Sequence, residues 1–271
     1  MKALLKIGGA CLLAAAAGTT LFPFYWLVTL SLKREVDQFA IPPIWIRFHP
    51  TLAHYYDIFW VRPFGLYFLN SVIAASVSTL LALAIGTLAA YSLARFPRPE
   101  VSFWILSTRM FPPIVSIIPL FLMLRWANLL DSVLALAVLY TAFNLPFVVW
   151  MMRGFFEELP RDLEEAAMMD GETRLGALWR VVLPLVRAGL AATAAFCLVI
   201  AWNEFLFALV VAQTDAAMTL PVGIASRVTQ YEIKWGAMSA AGVVAMLPVF
   251  LFGAAMQKYL VRGLSLGAVK G

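Results

Sequence analysis

Long apolar runs separated by short polar punctuation set the rhythm of this chain. Six of them stand out, roughly Ile7–Leu32, Tyr67–Leu93, Val101–Leu124, Ser132–Met152, Leu185–Val211 and Gly236–Leu260. A helix of about 20 apolar residues crosses a hydrocarbon core of about 30 Å, so each run predicts a membrane span. Residues 33–65 form an aromatic-rich, proline-containing loop, Arg95-Phe96-Pro97-Arg98-Pro99 a tight turn, and residues 213–235 a second polar stretch. Pro112, Pro113 and Pro119 interrupt the third run, Pro146 the fourth and Pro248 the sixth. Proline frees backbone groups that lipid cannot satisfy, which predicts that these positions lie against other helices or a water-filled cavity. Broken helices beside a substrate path occur in transporters; a packing kink is the plainer reading.

The longest polar interruption after the first loop is Arg153 to Pro184, with EEAAMMDGETRLGALWRVVLP at residues 164–184. Pro160 suits a first helical turn, where its missing N–H costs nothing. Arg161 to Asp170 then favours a helix whose Asp162, Glu164 and Glu165 sit near the positive end of the dipole. Gly171 suits a left-handed position just past that helix. Thr173 can cap a second short helix through Leu175, Leu178 and Trp179 to Val182, and Pro184 marks entry into the fifth span. An interfacial helix resting on headgroups is one reading of this segment. Its acid content, where anionic lipid favours Lys and Arg, argues instead for a protein docking surface, with Ala166 and Ala167 leaving a flat face for close approach.

Composition supports the membrane reading. Of 271 residues 63% are hydrophobic and 13% charged, more apolar surface than a soluble domain of this length can hide. The net charge of +5 comes from residues flanking the spans, not from a stripe, which argues against nucleic acid. Of 20 Lys and Arg, Arg109 lies well inside a span; twelve, counting Arg187 and Lys258 at span ends, fall on the side of the N-terminus and seven on the other. That excess places both termini in the cytoplasm, as an even number of spans requires. Lys2 and Lys6 before an apolar run resemble a secretory signal, but most of the run follows Cys11, so an uncleaved first span is expected. Cys11 and Cys197 lie in separate apolar runs, where a disulfide is not expected. The expected organisation is a first helix and outer loop (1–64), one bundle (65–260) and a cytoplasmic tail (261–271).

Arg109 and Glu204 lie within apolar runs, where each costs about 2.5–3.5 kcal/mol at mid-membrane, so both should face protein or water. Arg109 sits roughly 13 Å above the start of its span and Glu204 roughly 30 Å above Pro184, too far apart to pair. Each is a candidate pathway or gating contact, with a structural tie to carbonyls or to a partner subunit as the equal alternative. Gly263-Leu264-Ser265-Leu266-Gly267 matches a nucleophile pattern but lacks the strand–turn–helix such a serine needs. His49 and His54, without further ligands, are loop residues rather than a zinc site. The chain contains no G-x-x-x-x-G-K-[ST] phosphate loop, so any ATP hydrolysis belongs to another polypeptide.

Glu165-Ala166-Ala167, three residues, Gly171, nine residues, then Val181-x-Leu183-Pro184 resembles the EAA loop of ABC importer permeases. Arg109-Met110-Phe111-Pro112-Pro113, Ala201-Trp202-Asn203-Glu204-Phe205 and the tail from Gln257 to Gly271 are similar to one branch, the carbohydrate-uptake permeases of the maltose-transporter type. The resemblance implies an all-α membrane protein with six spans, the type I permease fold, and a cytoplasmic coupling helix that docks into a separate ATPase. Glu165, Ala166, Ala167, Asp170, Gly171, Leu183 and Pro184 are its candidate coupling residues. Trp202, Asn203 and Glu204, with Arg109, are candidate pathway or structural residues. Gly263, Gly267 and Lys270 are candidate ATPase contacts in a tail whose glycines at 263, 267 and 271 disfavour a helix and suit threading a narrow gap. Implied partners are a second permease chain, two ATP-binding subunits that use ATP and Mg, and an extracytoplasmic solute-binding protein. This chain itself would bind no cofactor or metal.

Within that branch a disaccharide, oligosaccharide or polyol is the expected solute, with glycerol-phosphate esters also open and a non-sugar solute as the alternative. A self-contained channel or ion-coupled transporter would explain the spans but not the gapped EAA loop. An intramembrane enzyme lacks any nucleophile–base set.

Overall fold

A computed structural model describes the backbone of residues 2–226 and 233–266, and the side chains of residues 8–226, 233–254 and 257. Regular structure among these residues is helical apart from an isolated bridge residue at Ile233. In chain order the principal helices are α1 (Lys2–Leu32), α2 (Phe64–Arg95), α3 (Pro99–Ser107), α4 (Pro113–Trp126), α5 (Val133–Glu157), α6 (Asp162–Met169), α7 (Arg174–Ala177), α8 (Arg187–Trp202), α9 (Leu206–Val211), α10 (Leu220–Ala225) and α11 (Trp235–Leu266), with other short helical turns between them. Among the described residues α1, α2, α5 and α11 each contain a stretch long and apolar enough to cross a membrane, and two bent pairs bring the number to as many as six.

One of the two bent pairs departs from the straight spans that hydropathy predicts. The third is split into Pro99–Met110 and Pro113–Trp126, which meet at 93°. The cause is local: Phe111 and Pro112, each followed by proline, have ψ of 126° and 129°. A following proline excludes the helical ψ, and two in succession remove two donors. The expected span 185–211 is likewise interrupted. Its helix α8 stops at Trp202 before α9 resumes at Leu206, while the 78° bend at Val186 separates Arg174–Leu185 from Arg187–Trp202 close to the entry expected at Pro184. Pro119, Pro146 and Pro248 instead lie inside continuous helices. Pro146 is buried against protein as expected, whereas Pro112, Pro113 and Pro119 are exposed on this chain.

The chain divides into two compact units, residues 1–65 with 223–248, and residues 66–222 with 249–271. In the first, the α1–loop junction is pinned by aromatic and polar contacts. Trp26 and Trp45 lie 5.1 Å apart, and the Tyr25 hydroxyl donates to the Trp45 carbonyl at 2.6 Å. Lys33 is fully buried, with Nζ 4.5 Å from the Trp26 ring and 5.4 Å from Phe48. Burial lowers its pKa, against the opposing pull of Asp37. His54 Nε2 lies 2.8 Å from the Lys33 carbonyl and 3.2 Å from Gln38 Nε2. A Cβ at Gly236 would collide with this imidazole, so His54, in the helical turn Ala53–Tyr56 of the region after α1, packs where glycine stands opposite it. Cys11 is a free thiol.

The second unit packs α2, α5, α8 and the turn after α7 around one core of Ala82, Ala90, Tyr91, Val148, Met152, Phe156, Leu178, Val182 and Cys197. Small residues permit close helix approach: a Cβ at Gly86 would fall 2.7 Å from Val148 Cγ1, and one at Gly189 2.5 Å from the Phe155 ring. Buried polar groups fasten the ends. Asn70 Nδ2 donates to the carbonyls of Ala216 and Met218, both at 2.9 Å, while Ser71 Oγ accepts from the Leu220 N–H at 2.8 Å. Asp131, held at φ +56°, accepts from the N–H groups of Gln213 and Thr214, both at 2.9 Å, and from the Thr214 hydroxyl.

Candidate functional site

The segment between α5 and α8 folds as two short helices joined by a sharp turn. α6 spans Asp162–Met169, one residue shorter at each end than expected, with Pro160 ahead of it instead of in its first turn. Its three acidic residues, Asp162, Glu164 and Glu165, stand in that turn, where the free N–H groups favour negative charge. Gly171 terminates it with φ +94°, a conformation that L side chains rarely adopt. The Gly171 N–H reaches the Met168 carbonyl at 3.1 Å and the Glu172 N–H reaches the Ala167 carbonyl at 3.0 Å. These are the paired bonds of a Schellman stop, which satisfy carbonyls the helix would otherwise leave open. Thr173 then caps α7, its hydroxyl accepting the Gly176 N–H at 3.0 Å.

From α7 the chain continues through a π-helical turn, Leu178–Val182, into Leu183–Leu185. Leu178 and Val182 are fully buried in the core, Leu183 packs against it and Pro184 is exposed. The Arg174 guanidinium lies 4.9 Å over the Phe96 ring, and Glu172 pairs with Arg180. The second half of the segment is therefore built into the membrane bundle.

The first half is held differently. Glu164 is 5% exposed and Arg95, in the last turn of α2, is 7% exposed. Arg95 Nε donates to Glu164 Oε1 at 2.6 Å and Nη1 to the Phe156 carbonyl at 2.9 Å. Nη2 meets the same Oε1 in ion-pair contact without a hydrogen bond of its own. The Tyr91 hydroxyl donates to Glu164 Oε2 at 2.8 Å, and the Tyr91 and Phe156 rings meet edge-on at 5.6 Å. Removing one partner of such a pair strands a buried charge, at a cost of roughly 3–5 kcal/mol.

The sequence reading did not single out Glu164 as an anchor, and it placed Ala167 on the docking face. The structure buries Ala167 at 9% exposure. At about 100° per residue it stands one turn from Glu164 on the same inward side. Glu165, Ala166, Asp170 and Gly171 are exposed, together with Leu163 and Met169, the latter at 88%. Leu175 and Trp179 are exposed as well, at 62% each. The outward surface of this segment thus carries large apolar side chains among acidic ones, and exposed Met, Trp and Leu are the part of that composition found at protein interfaces.

The remaining candidates lie elsewhere. Arg109 is exposed just before the break in the third span, with Nη1 donating to the Phe143 carbonyl at 3.0 Å. Glu204 sits in the gap between α8 and α9, where its carboxylate accepts the N–H groups of Phe207 at 2.9 Å and Ala208 at 3.3 Å. Trp202 is buried, with its ring edge-on to Phe68 at 5.5 Å, and Asn203 is exposed. In the tail, α11 continues to Leu266 and passes Gly263, so the stretch expected to be non-helical is helical at least that far. One interior glycine costs about 1 kcal/mol against alanine, too little to end a helix already propagating. Gly267 and Lys270 lie outside the described residues.

Comparison with known proteins bears on this arrangement. Residues 82–266, more than half of the chain, match the family described as binding-protein-dependent transport system inner membrane component. The sulfoquinovosyl glycerol transport system permease protein SmoH of Agrobacterium fabrum is 41% identical over 93% of this chain and 89% of its own length. The trehalose/maltose transport system permease protein MalG of Thermococcus litoralis is 35% identical over 100% of this chain and 98% of its own. A crystal structure of a bacterial ABC transporter involved in the import of the acidic polysaccharide alginate has the same fold, with TM-score 0.79, 23% identity, and coverage of 94% of this chain and 96% of that one. The fold is that of a type I ABC importer permease, and a chain with these helices and these relatives is not itself an enzyme. The chain belongs to the inner membrane components of binding-protein-dependent transport systems, as a multi-pass permease subunit of an ABC importer.

Proposed function

We propose that this chain forms half of the transmembrane pathway for a sugar, a di- or oligosaccharide or related polyol, and that α6 docks into a separate ATP-hydrolysing subunit on the cytoplasmic side. The observation that carries the docking assignment is the two-sided build of residues 162–184: Glu164, Leu178 and Val182 rooted in the bundle, with Glu165, Ala166, Asp170 and Met169 facing out. The sugar assignment rests on relatives named for trehalose, maltose, diacetylchitobiose and sulfoquinovosyl glycerol. The excess of Lys and Arg on the side of residues 153–184 supports a cytoplasmic position for that segment and for both termini.

In this reading a second permease chain completes the route, two ATPase copies use ATP and Mg, and a solute-binding protein delivers the sugar from outside. Ala166 gives close approach, and Glu165 accepts a charge-assisted hydrogen bond in the dock. The turn at Gly171 holds the helix at a fixed angle to Leu183 and Pro184. Arg109 and Glu204 serve as structural ties, since both are bonded to backbone groups. Asn203, exposed beside the break after Trp202 with Nδ2 donating to the Val199 carbonyl at 2.8 Å, is this chain's candidate contact with the solute through the rest of its amide. The tail with Gly263, Gly267 and Lys270 reaches the ATPases, so deletion of residues 264–271 weakens coupling.

The test is uptake of trehalose, maltose, diacetylchitobiose and sulfoquinovosyl glycerol in turn by membranes carrying the assembled transporter, with ATPase retention measured alongside. Glu165→Lys is expected to leave membrane insertion intact, release the ATPase and abolish uptake. Normal retention and uptake in that variant, or a purified active transporter with the native mass of a lone chain, would refute the proposal.

A further inference from the structure

α6 buries only two of its side chains, Glu164 and Ala167. The Ala167 methyl offers little grip. The principal hold of this helix on the membrane bundle is therefore one carboxylate, received by Arg95 and Tyr91 of α2, with Arg95 also tied to the Phe156 carbonyl at the end of α5. A buried ion pair is a weak source of stability, because desolvating both ions offsets their attraction. It is a strict specifier of position, because displacing either partner leaves the other charge bare in a low-dielectric interior. Packing alone would let a short helix with one buried methyl slide or roll on α2 and α5.

We propose that the Arg95–Glu164 pair, completed by Tyr91, is the positioning joint that makes α6 move as one body with the ends of α2 and α5, so that displacement of the docking helix reaches the spans. This rests on the reading of α6 as the docking helix. The pair touches neither solute nor nucleotide; it acts through the helices it joins. Leu178 and Val182 root the chain after Gly171, and the joint roots it before. A segment fixed on both sides of the turn transmits a push, whereas a segment fixed only after the turn hinges at Gly171.

The experiment uses the assembled transporter in liposomes, with ATP, the solute-binding protein and whichever sugar of the panel above the wild type imports. Glu164→Gln and Arg95→Lys are compared with the swap of Arg95→Glu and Glu164→Arg. Both single variants are expected to keep ATPase retention and basal hydrolysis within twofold of wild type, and to lose at least tenfold in sugar-stimulated hydrolysis and uptake. The swap is expected to recover part of that loss. Tyr91→Phe removes only a hydroxyl and retains the fold if the charge variants fail to accumulate; its stimulated hydrolysis should fall at least threefold. Stimulation within twofold of wild type in the accumulating single variants, or unchanged in Tyr91→Phe, overturns the joint. So does loss of ATPase retention in step with stimulation, which would make the pair a support for the docking surface and nothing more. A swap that accumulates without any recovery overturns it too. Glu165→Lys and Gly171→Val report separately on docking: normal behaviour there removes the docking reading itself, while normal behaviour of the pair variants alone removes only the joint.

Discussion

Gly171 allows the docking turn to be tested by dihedral strain alone. Its φ of +94° is required by the two bonds that end α6, yet a Cβ added there would meet no atom within 4 Å. Substitution therefore adds no clash, and the cost is set by what each side chain tolerates at positive φ. A β-branched residue is a true outlier in that region, and the strain is roughly 1–3 kcal/mol. The alternative is to let the turn relax and give up the bonds to Met168 and Ala167, at about 0.5–1.5 kcal/mol each. Either route costs a few kcal/mol. Since about 1.4 kcal/mol is a factor of ten, the native turn becomes roughly 5- to 150-fold less populated in Gly171→Val.

Asparagine tolerates positive φ better than other residues with a Cβ, so Gly171→Asn should retain most of the function that Gly171→Val loses. Gly171→Ala should fall between them. The assay is threefold: amount of chain in the membrane, ATPase retained on washed membranes, and uptake of the imported sugar. Membrane accumulation should stay close to wild type throughout, because the turn lies outside the core that Leu178 and Val182 join. ATPase retention and uptake should follow the order Gly, Asn, Ala, Val. Two results would refute the reasoning: wild-type retention in Gly171→Val, or an Asn variant as impaired as Val.

Gly189→Ala is predicted to destabilise the chain by about 1–3 kcal/mol, because its Cβ would fall 2.5 Å from the Phe155 ring; a lower melting temperature in detergent, without loss of ATPase retention in the surviving fraction, is the expected reading. Trp179→Ala and Leu175→Ala, both at exposed positions, should leave that melting temperature unchanged while weakening ATPase retention several-fold, since truncating an interface anchor commonly costs more than 1 kcal/mol. Burial pushes the Asp131 carboxyl upward, but the Thr214 hydroxyl and the N–H groups of Thr214 and Gln213 outweigh it and hold the pKa below its ordinary 3.8. A carboxyl lowered in the folded state contributes stability that is complete above 3.8 and is lost as pH falls through the folded value. Hydrogen exchange at Gln213 and Thr214, corrected for intrinsic rates, should thus show constant protection from pH 7 to 5, and Asp131→Ala, which removes the acceptor of both N–H groups, should lose it across that range.

Much of this architecture is written in the chain, for reasons that can be traced to particular residues. Apolar runs announce spans because lipid leaves helices no other partner for their backbone. The stop at Gly171 and the cap at Thr173 are local events, decided by a few adjacent residues, and so are readable from them. The bend at Phe111–Pro112 is equally local, but hydropathy averages over it and reports one continuous run. The break at Asn203–Phe205 escaped for the same reason, lying between two apolar stretches.

The Arg95–Glu164 pair was hidden for a different reason. Its members are separated by most of the bundle, and pairing at that distance is decided by tertiary packing. Two adjacent glutamates, 164 and 165, also gave no local sign of which one faces inward. One clue was available. Arg95 ends its span without an acidic residue within four positions on either side, so a partner had to come from a distant element, and the acidic first turn of α6 was the richest source on the same side. In the docking reading proposed above, the helix presents Ala166 outward for close approach. With roughly 100° between successive residues, Ala166 outward places Glu164, about 200° behind it, inward. If the proposed docking face is taken as fixed, the opposite side of α6 carries Glu164, and that is where Arg95 meets it.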